Sequence, residues 1–281
     1  MKVGNNPQAR PQSGLDVADV VFEEVAEGGI TRFLAVFNST APEQIGPVRS
    51  VRRMDPDLAS AFGGIFAYSG GTPPNVQAIR NTPGVLSVDE TQAGEAMRRD
   101  PSRRAPDNLY VLPEKMWEKG GEPVPPPALF AHLGEGEAFE GIPVTSARIG
   151  FAGQYAPTWT WDEAAGAWKR SYGDQPFTVQ SGDQVTATNV VVQFVEYPRD
   201  SEGITVGEGD VWVFADGQVA TGRWIRPDRT RPAELRGTDG NPLELVPGRT
   251  WVALLPVGSS VDLVTPPPPT TTAGRSTTTD R

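Results

Sequence analysis

The sequence predicts an α/β (α+β) protein, in which a layered N-terminal α/β domain precedes a smaller, antiparallel, β-rich C-terminal domain. The 281 residues exceed the length at which a single core usually stops growing. The first half alternates strand, glycine-loop and helix patterns, whereas the second half carries almost only strand and hairpin signals. We therefore expect domains at residues 1–133 and 134–264, followed by a disordered Pro/Thr-rich tail at 265–281.

The first half opens with a β-hairpin. The runs ADVVFEEVAE and ITRFLAVF are rich in β-forming residues, and the glycine pair at 28–29 can take the positive φ angles of a two-residue turn. This register would place Val25 opposite Arg32. Glu23 and Glu27 would then be the diagonal neighbours of Arg32 on one face of the hairpin. The sequence thus predicts a row in which one guanidinium lies between two carboxylates.

A strand, a glycine loop and a helix follow in that order. IFAYSGG is typical of a buried strand with glycines at its end, and TPPNVQAIRN predicts a helix with Thr72 as its N-cap. Backbone N–H groups at a helix N-terminus attract anions, and Arg49, Arg52 and Arg53 lie upstream. The segment Ser69–Pro74 is therefore a candidate anion site. A plain turn and helix cap is the alternative, because the segment has no GK[ST] or GxGxxG motif.

The second half predicts one antiparallel sheet or a small barrel. Its strand runs are FTVQSGDQVTATNVVVQFVEYP, DVWVFADGQVATGRWIRP and ELRGTDGNPLELVPGRTWVALLP, which turn signals interrupt. Six of the seven tryptophans also lie in this half. Aromatic residues at alternating strand positions usually belong to the core. A sugar-stacking role is the alternative, and Trp159 and Trp161 in the irregular TWTW stretch are its best candidates.

Composition and charge argue against several classes of protein. A net charge of −10 and a pI near 4.7 argue against nucleic-acid binding, which depends on clustered Lys and Arg. The absence of cysteine removes thiol nucleophiles and disulfides. No segment has the spacing of an EF-hand, so we expect neither a metal nor a cofactor. No apolar run reaches the length of about 18 residues that a transmembrane helix needs.

Groups suited to catalysis are few. His132 is the single histidine, and without a GxSxG elbow beside it we expect a structural or surface residue. Acidic residues are concentrated near the N-terminus, so a glycan hydrolase with a carboxylate pair is the alternative function. These acids are Glu23, Glu24, Glu27, Asp55 and Asp57. We favour the ion-pair row around Arg32, and therefore a protein that is not an enzyme.

The two ends of the chain bear on its location. The first residues, MKVGNNPQARPQSG, lack the basic start and the apolar stretch of a signal peptide. Either the protein is cytosolic or the chain begins after its export signal. The tail TPPPPTTTAGRSTTTDR resembles the stalks and linkers of envelope proteins; an unselected solvated end is the alternative.

Several long motifs resemble the YerB-like family of bacterial lipoproteins. They are NNPQARPQSGL, ADVVFEEVAEGGITRFLAVF, IGPVRSVR and SGGTPPN in the first half, and TATNVVVQF, FADGQVATGRWIR and DGNPLELVPGRTWVALLP in the second. The resemblance implies two domains of unknown function and a lipid-anchored, extracytoplasmic protein. Family members begin with a signal peptide and a lipobox cysteine, and this chain has neither. Peripheral membrane attachment therefore requires a lipid anchor in the full-length protein.

The family pattern falls mainly on polar residues and glycines. These are Asn6, Arg10, Gln12, Ser13, Glu23, Glu27, Gly28, Gly29, Thr31, Arg32, Gly46, Arg49, Ser50, Arg52, Gly70 and Gly71. The hypothesis is that they meet in one groove, which the loop Ser69–Thr72 closes. The predicted ligand-binding residues are Arg32, Arg49, Arg52, Ser69, Gly70, Gly71, Thr72, Glu23 and Glu27.

The predicted function is non-enzymatic. The ligand would be an envelope protein, or an anionic glycan or small anion related to the cell wall, and nucleic acid is not expected. A third interpretation is a scaffold whose sheet edge recruits other envelope proteins, which would require an exposed apolar patch on the C-terminal domain.

Overall fold

The computed structural model describes residues 1–122, 124–151, 156–198 and 203–267. Strands dominate this part of the chain. In chain order they are β1 (Lys2–Gly4), β2 (Val20–Val25), β3 (Thr31–Val36), β4 (Gly64–Tyr68), β5 (Val85–Asp89), β6 (Met97–Arg99), β7 (Leu109–Val111), β8 (Ile142–Pro143), β9 (Ser146–Ile149), β10 (Thr158–Asp162), β11 (Ala167–Tyr172), β12 (Gln175–Pro176), β13 (Thr186–Ala187), β14 (Asn189–Val195), β15 (Gly207–Ala215), β16 (Gln218–Arg226), β17 (Glu234–Gly237), β18 (Thr250–Pro256) and β19 (Val261–Val264).

The α-helices of the described residues are short and belong to the first half. They are α1 (Asp55–Ala59), α2 (Pro73–Arg80), α3 (Glu90–Ala93) and α4 (Pro113–Trp117), with 3-10 turns at Pro7–Ala9, Glu27–Gly29 and Gly94–Ala96. Helix α2 begins as the sequence predicts, after an extended Thr72 and with two prolines in its first turn. Its inward residue Ile79 is fully buried, which holds this short helix against the core.

One large mixed sheet joins strands from both halves of the chain. Its order is β1-β3-β2-β18-β14-β15-β16-β17, and β8 pairs with β16. Strand β18 lies between β2 and β14 and runs parallel to both, whereas the other neighbouring strands are antiparallel. The first-half hairpin is therefore continuous with the second-half sheet.

A second, antiparallel sheet packs on one face of the large sheet. Its order is β12-β11-β10-β9-β19, and β13 pairs with β11. Tryptophans fill the space between the two sheets, where Trp251 contacts Trp159 and Trp168 contacts Phe214 edge to face. Two small sheets, parallel β4-β5 and antiparallel β6-β7, complete the first half.

The opposite face of the large sheet is covered by the helical elements. Phe22 and Leu34 from the hairpin pack there with Leu58 from α1 and Ile79 from α2. Alternate residues of β2 and β3 thus face two different cores, because both sides of this sheet are covered. This alternation decides which charged residues of the hairpin lie on the same face of the large sheet.

The predicted α+β class is confirmed, since among the described residues the α-helices lie in the first half and strands dominate the second. The division at residues 133 and 134 stays a prediction. The predicted tail lies mostly in residues 268–281, which are outside the described residues. No helix in the described part of the chain is long and apolar enough to cross a membrane.

Candidate functional site

The hairpin register differs by one residue from the prediction. Glu24 pairs with Arg32 and Val25 with Thr31, because the turn contains three residues, Glu27–Gly29, closed by the Ala26 N–H donating to the Ile30 carbonyl at 2.7 Å. Both glycines of the turn have positive φ, as predicted, but Glu27 belongs to the turn as well. The one-residue shift places Glu23 and Arg32 on opposite faces of the hairpin.

Glu23 consequently lies in the other core, away from Arg32. It accepts two hydrogen bonds from the buried Arg170 guanidinium, at 2.8 and 2.9 Å. It also accepts one from the Trp251 indole at 3.0 Å and one from the Thr31 hydroxyl at 2.9 Å. The predicted Glu23–Arg32–Glu27 row is therefore wrong: Glu23 is the anchor of an ion pair between the two sheets.

Three arginines meet on the helix-covered side of the hairpin. Arg32 is only 5% exposed. The pKa of Arg32 is lowered to about 10, mainly by burial and then by repulsion from Arg49 and Arg52, which outweighs the attraction of Glu27 and Glu24. Among the described residues, its guanidinium donates one long hydrogen bond, 3.4 Å, to Asn6 Oδ1.

Arg32 has an unusual environment for a buried cation. Buried charges in proteins are normally paired and hydrogen-bonded. Among the residues that the structure describes, no carboxylate oxygen lies within 4.0 Å of the Arg32 guanidinium. Its Nε, like those of Arg49 and Arg52, is buried with no hydrogen-bond partner in the described parts of the chain. The cluster thus holds more donors than its own acceptors satisfy.

The other two arginines have weak or exposed acid partners. Arg49 lies 3.6 Å from Asp107, whose other carboxylate oxygen accepts a hydrogen bond from Asn6 at 3.1 Å. Arg52 binds Glu27 at 2.7 Å, and the Glu27 side chain is 71% exposed. Burial raises the pKa of Glu27, but hydrogen bonds from its own backbone and from Arg52 outweigh this, so the pKa is lowered.

The predicted glycine loop does lie beside the arginines. The Ser69 N–H donates to the Arg49 carbonyl and the Val51 N–H donates to the Gly70 carbonyl, both at 3.0 Å. A Cβ added at Gly71 would lie 2.7 Å from Val51, so glycine permits this close approach. Ser69 itself is half-buried and its hydroxyl donates to Glu90.

The loop contributes fewer N–H groups than predicted. The Gly70 N–H donates to Asp89 at 3.1 Å, and Pro73 and Pro74, the first two residues of α2, have no N–H. Thr72 is exposed and its side chain makes no capping hydrogen bond. The loop therefore lies beside the arginines, but its Gly70 N–H is already engaged by Asp89.

A buried lysine lies on the same face of the large sheet as Arg32. The Lys2 ammonium is fully buried, binds Glu24, and lies 2.8 Å from Asp55. The second Asp55 oxygen accepts the Arg52 N–H at 2.6 Å. Two of the acids considered for hydrolysis are therefore held by a cation in the core, and Asp57 pairs with Arg229 at 3.3 Å.

Sequence reasoning missed the partners of these residues. Lys2, Asp107 and Arg170 carried no local signal, because each acts through a residue distant in sequence. Trp159, named with Trp161 as a candidate for exposure under the sugar-stacking alternative, is fully buried against Trp251, because its side chain points between the two sheets. His132 is exposed, in keeping with a surface residue.

Comparison with known proteins agrees with the resemblance seen in the motifs. Residues 1–122 match the N-terminal domain model, and residues 147–252 the C-terminal domain model, of a protein of unknown function (DUF3048). The chain is 31% identical over 271 residues to the Bacillus subtilis (strain 168) protein named "Putative lipoprotein YerB", covering 90% of this chain and 80% of that protein. The crystal structure of YerB from Bacillus subtilis superposes with a TM-score of 0.77 at 26% identity, over 93% of this chain and 92% of that chain.

Proposed function

The chain belongs to the DUF3048 family, and from that premise we propose that it is a non-enzymatic, extracytoplasmic binding protein that holds an anionic ligand at Arg32, Arg49 and Arg52. The observation that carries the proposal is the buried Arg32, which has two arginine neighbours and no carboxylate within 4.0 Å in the described chain. A carboxylate or phosphate group would supply the missing acceptors, because guanidinium groups bind such groups through paired N–H donors.

Glu27 supports the proposal by its position. Its carboxylate binds Arg52, while most of the side chain is exposed to solvent. The side chain can therefore rotate into solvent, with little loss of free energy, when another anion binds Arg52. Solvent around the Glu27 carboxylate screens its attraction to Arg52. Glu27 is therefore a weak internal competitor for the site.

The cell envelope is the proposed location. The supporting observation is the similarity to a Bacillus subtilis protein whose name describes a lipoprotein. Anions that are abundant there include the phosphates of wall polymers and the carboxylates of wall peptides, and both match the chemistry of the arginine cluster. The glycan hydrolase, our earlier alternative, has less support because Glu23, Glu24 and Asp55 are buried with cation partners.

Without its ligand, Arg32 should destabilise the protein. We expect Arg32→Met to raise the free energy of unfolding by roughly 1–3 kcal/mol, because it removes a desolvated charge but keeps an apolar side chain of similar length. Urea unfolding at neutral pH without added anions measures this. A purely structural arginine would give the opposite sign, a loss of stability, and that result would contradict the proposal.

Binding itself is tested by calorimetric titration with inorganic phosphate, a soluble muropeptide and a teichoic acid fragment. We expect at least one to bind, and Arg49→Gln to weaken it by roughly 10- to 100-fold, through loss of charge-assisted hydrogen bonds. Glu27→Gln should strengthen it by roughly two- to fivefold, since the competitor is gone.

The matched control is Arg148→Gln, which removes an exposed arginine paired with Asp262 on the second sheet. It should leave affinity unchanged. The proposal fails if no probe binds, or if Arg148→Gln weakens binding as much as Arg49→Gln does.

A further inference from the structure

The large sheet extends beyond the sheet that covers it, and a tryptophan marks the edge. On β15, Phe214 is fully buried under Trp168. Two residues earlier on the same face, Trp212 is only partly buried and contacts Phe194 edge to face, with ring centroids 6.1 Å apart. This part of the sheet face is open to solvent.

Charged side chains lie around this open face. Arg223, opposite Asp210 in the β15–β16 register, binds Asp210 at 2.7 Å and Glu208 at 3.2 Å. Arg236 on β17 lies opposite Arg223 and donates to the Gly240 carbonyl at 3.2 Å. Donors and acceptors thus alternate around the tryptophan.

Glycine at position 222 lets strands β16 and β17 approach closely beside this open face. Gly222 lies opposite Gly237, and a Cβ added at Gly222 would come within 1.9 Å of the Arg236 carbonyl oxygen. The strands therefore approach closely here. The resulting hollow has a volume of about 630 Å³ and is lined by Trp212, Thr221 and Arg223 among others, which falls within the size range of small-molecule sites.

We propose that this hollow, the Trp212 hollow, binds a sugar ring of a neutral glycan. One face of a pyranose ring carries C–H groups, which pack on an aromatic ring. Its hydroxyls each donate and accept hydrogen bonds, and the paired Arg223 and Asp210 offer both. An anion is a poorer fit, because Asp210 and Glu208 already neutralise Arg223.

The Trp212 hollow is independent of the arginine cluster. Trp212 lies on the face of the large sheet that packs against the second sheet. Arg32 lies on the opposite face, across from Glu24 in the β2–β3 register. The two sites are therefore on opposite sides of the molecule's central sheet. Loss of binding at one leaves the other unchanged, so each proposal is tested separately.

The test is titration of the ¹⁵N-tryptophan-labelled chain with chitotetraose and, separately, maltotetraose, followed by the indole N–H signals in NMR spectra. We expect the Trp212 signal to move saturably with at least one sugar while Trp117, exposed in the first half, does not. Trp212→Ala should weaken that binding by about tenfold or more, and Trp212→Phe should restore part of it.

Two further variants distinguish loss of the site from misfolding of Trp212→Ala. Arg223→Gln leaves the tryptophan in place and should weaken binding of the same sugar, whereas Trp117→Ala should not. Melting curves confirm that each variant is folded. The proposal is overturned if neither sugar moves the Trp212 signal, or if the folded Trp212→Ala and Arg223→Gln variants bind as tightly as the wild type.

Discussion

Replacing Glu23 with alanine is expected to lower the free energy of unfolding by about 3–5 kcal/mol. The Arg170 guanidinium would remain fully buried between the sheets without its two carboxylate hydrogen bonds. The Trp251 indole would lose its acceptor as well. The aromatic rings around Arg170, of which Trp251 lies 4.5 Å from the guanidinium carbon, cannot replace the lost negative charge. Urea unfolding followed by circular dichroism measures the change.

The control for this prediction is an exposed ion pair of the second sheet. Asp262→Ala removes the partner of Arg148, where both side chains are more than half exposed, and should cost less than about 1 kcal/mol. Replacing both Glu23 and Arg170, with leucine and methionine, should recover much of the loss. Equal stability of the Glu23→Ala and Asp262→Ala variants would mean that the pair does not join the sheets.

Lys2→Met should lower the free energy of unfolding by a similar amount, about 3–5 kcal/mol. The ammonium is fully buried between Glu24 and Asp55, so its removal leaves two carboxylates close together in the core. Methionine fills the same space, and the loss therefore reports charge rather than packing. Denaturant midpoints at neutral pH are the measurement.

A surface lysine provides the comparison. Lys115 is 47% exposed and binds Glu95, which is 87% exposed, at 2.8 Å. Lys115→Met should change the free energy of unfolding by less than about 1 kcal/mol. If both lysine variants lose equally little free energy of unfolding, Lys2 is not the counter-ion of the buried acids.

Local sequence patterns predicted the elements near the site well. The hairpin, the buried strand β4 and helix α2 with Thr72 as its cap all occur where glycine, proline and apolar spacing place them. These features depend on neighbouring residues alone. In the structure the Ser69 N–H donates to the Arg49 carbonyl, and the Gly70 carbonyl accepts from the Val51 N–H.

The register of the hairpin was not predictable with the same accuracy. A two-glycine turn and a three-residue turn are both compatible with EGG, and the difference decides which face Glu23 occupies. Long-range contacts decided the outcome: Glu23 meets Arg170, 147 residues later in the chain. Nothing in the local sequence around either residue indicates that pairing.

The insertion of β18 beside β2 could not be predicted either, because it also depends on long-range contacts. The run that forms β18 reads as a hairpin strand of the second half, and its parallel pairing with β2 depends on tertiary packing. The sequence named the arginines of the candidate site but not their charge partners. That Arg32 lacks a close carboxylate in the described chain depends on the one-residue register.

The most direct test of the arginine cluster is to observe its guanidinium N–H groups. The ¹⁵N-arginine-labelled chain is titrated with inorganic phosphate, and the Nε–H signals are assigned from single Arg→Gln variants. The buried Nε–H groups of Arg32, Arg49 and Arg52 have no partner among the described residues, so we predict that their signals move together and saturably while that of Arg148 stays in place. Three signals that remain unmoved, or that move only as much as Arg148 does, would contradict an anion site in this protein.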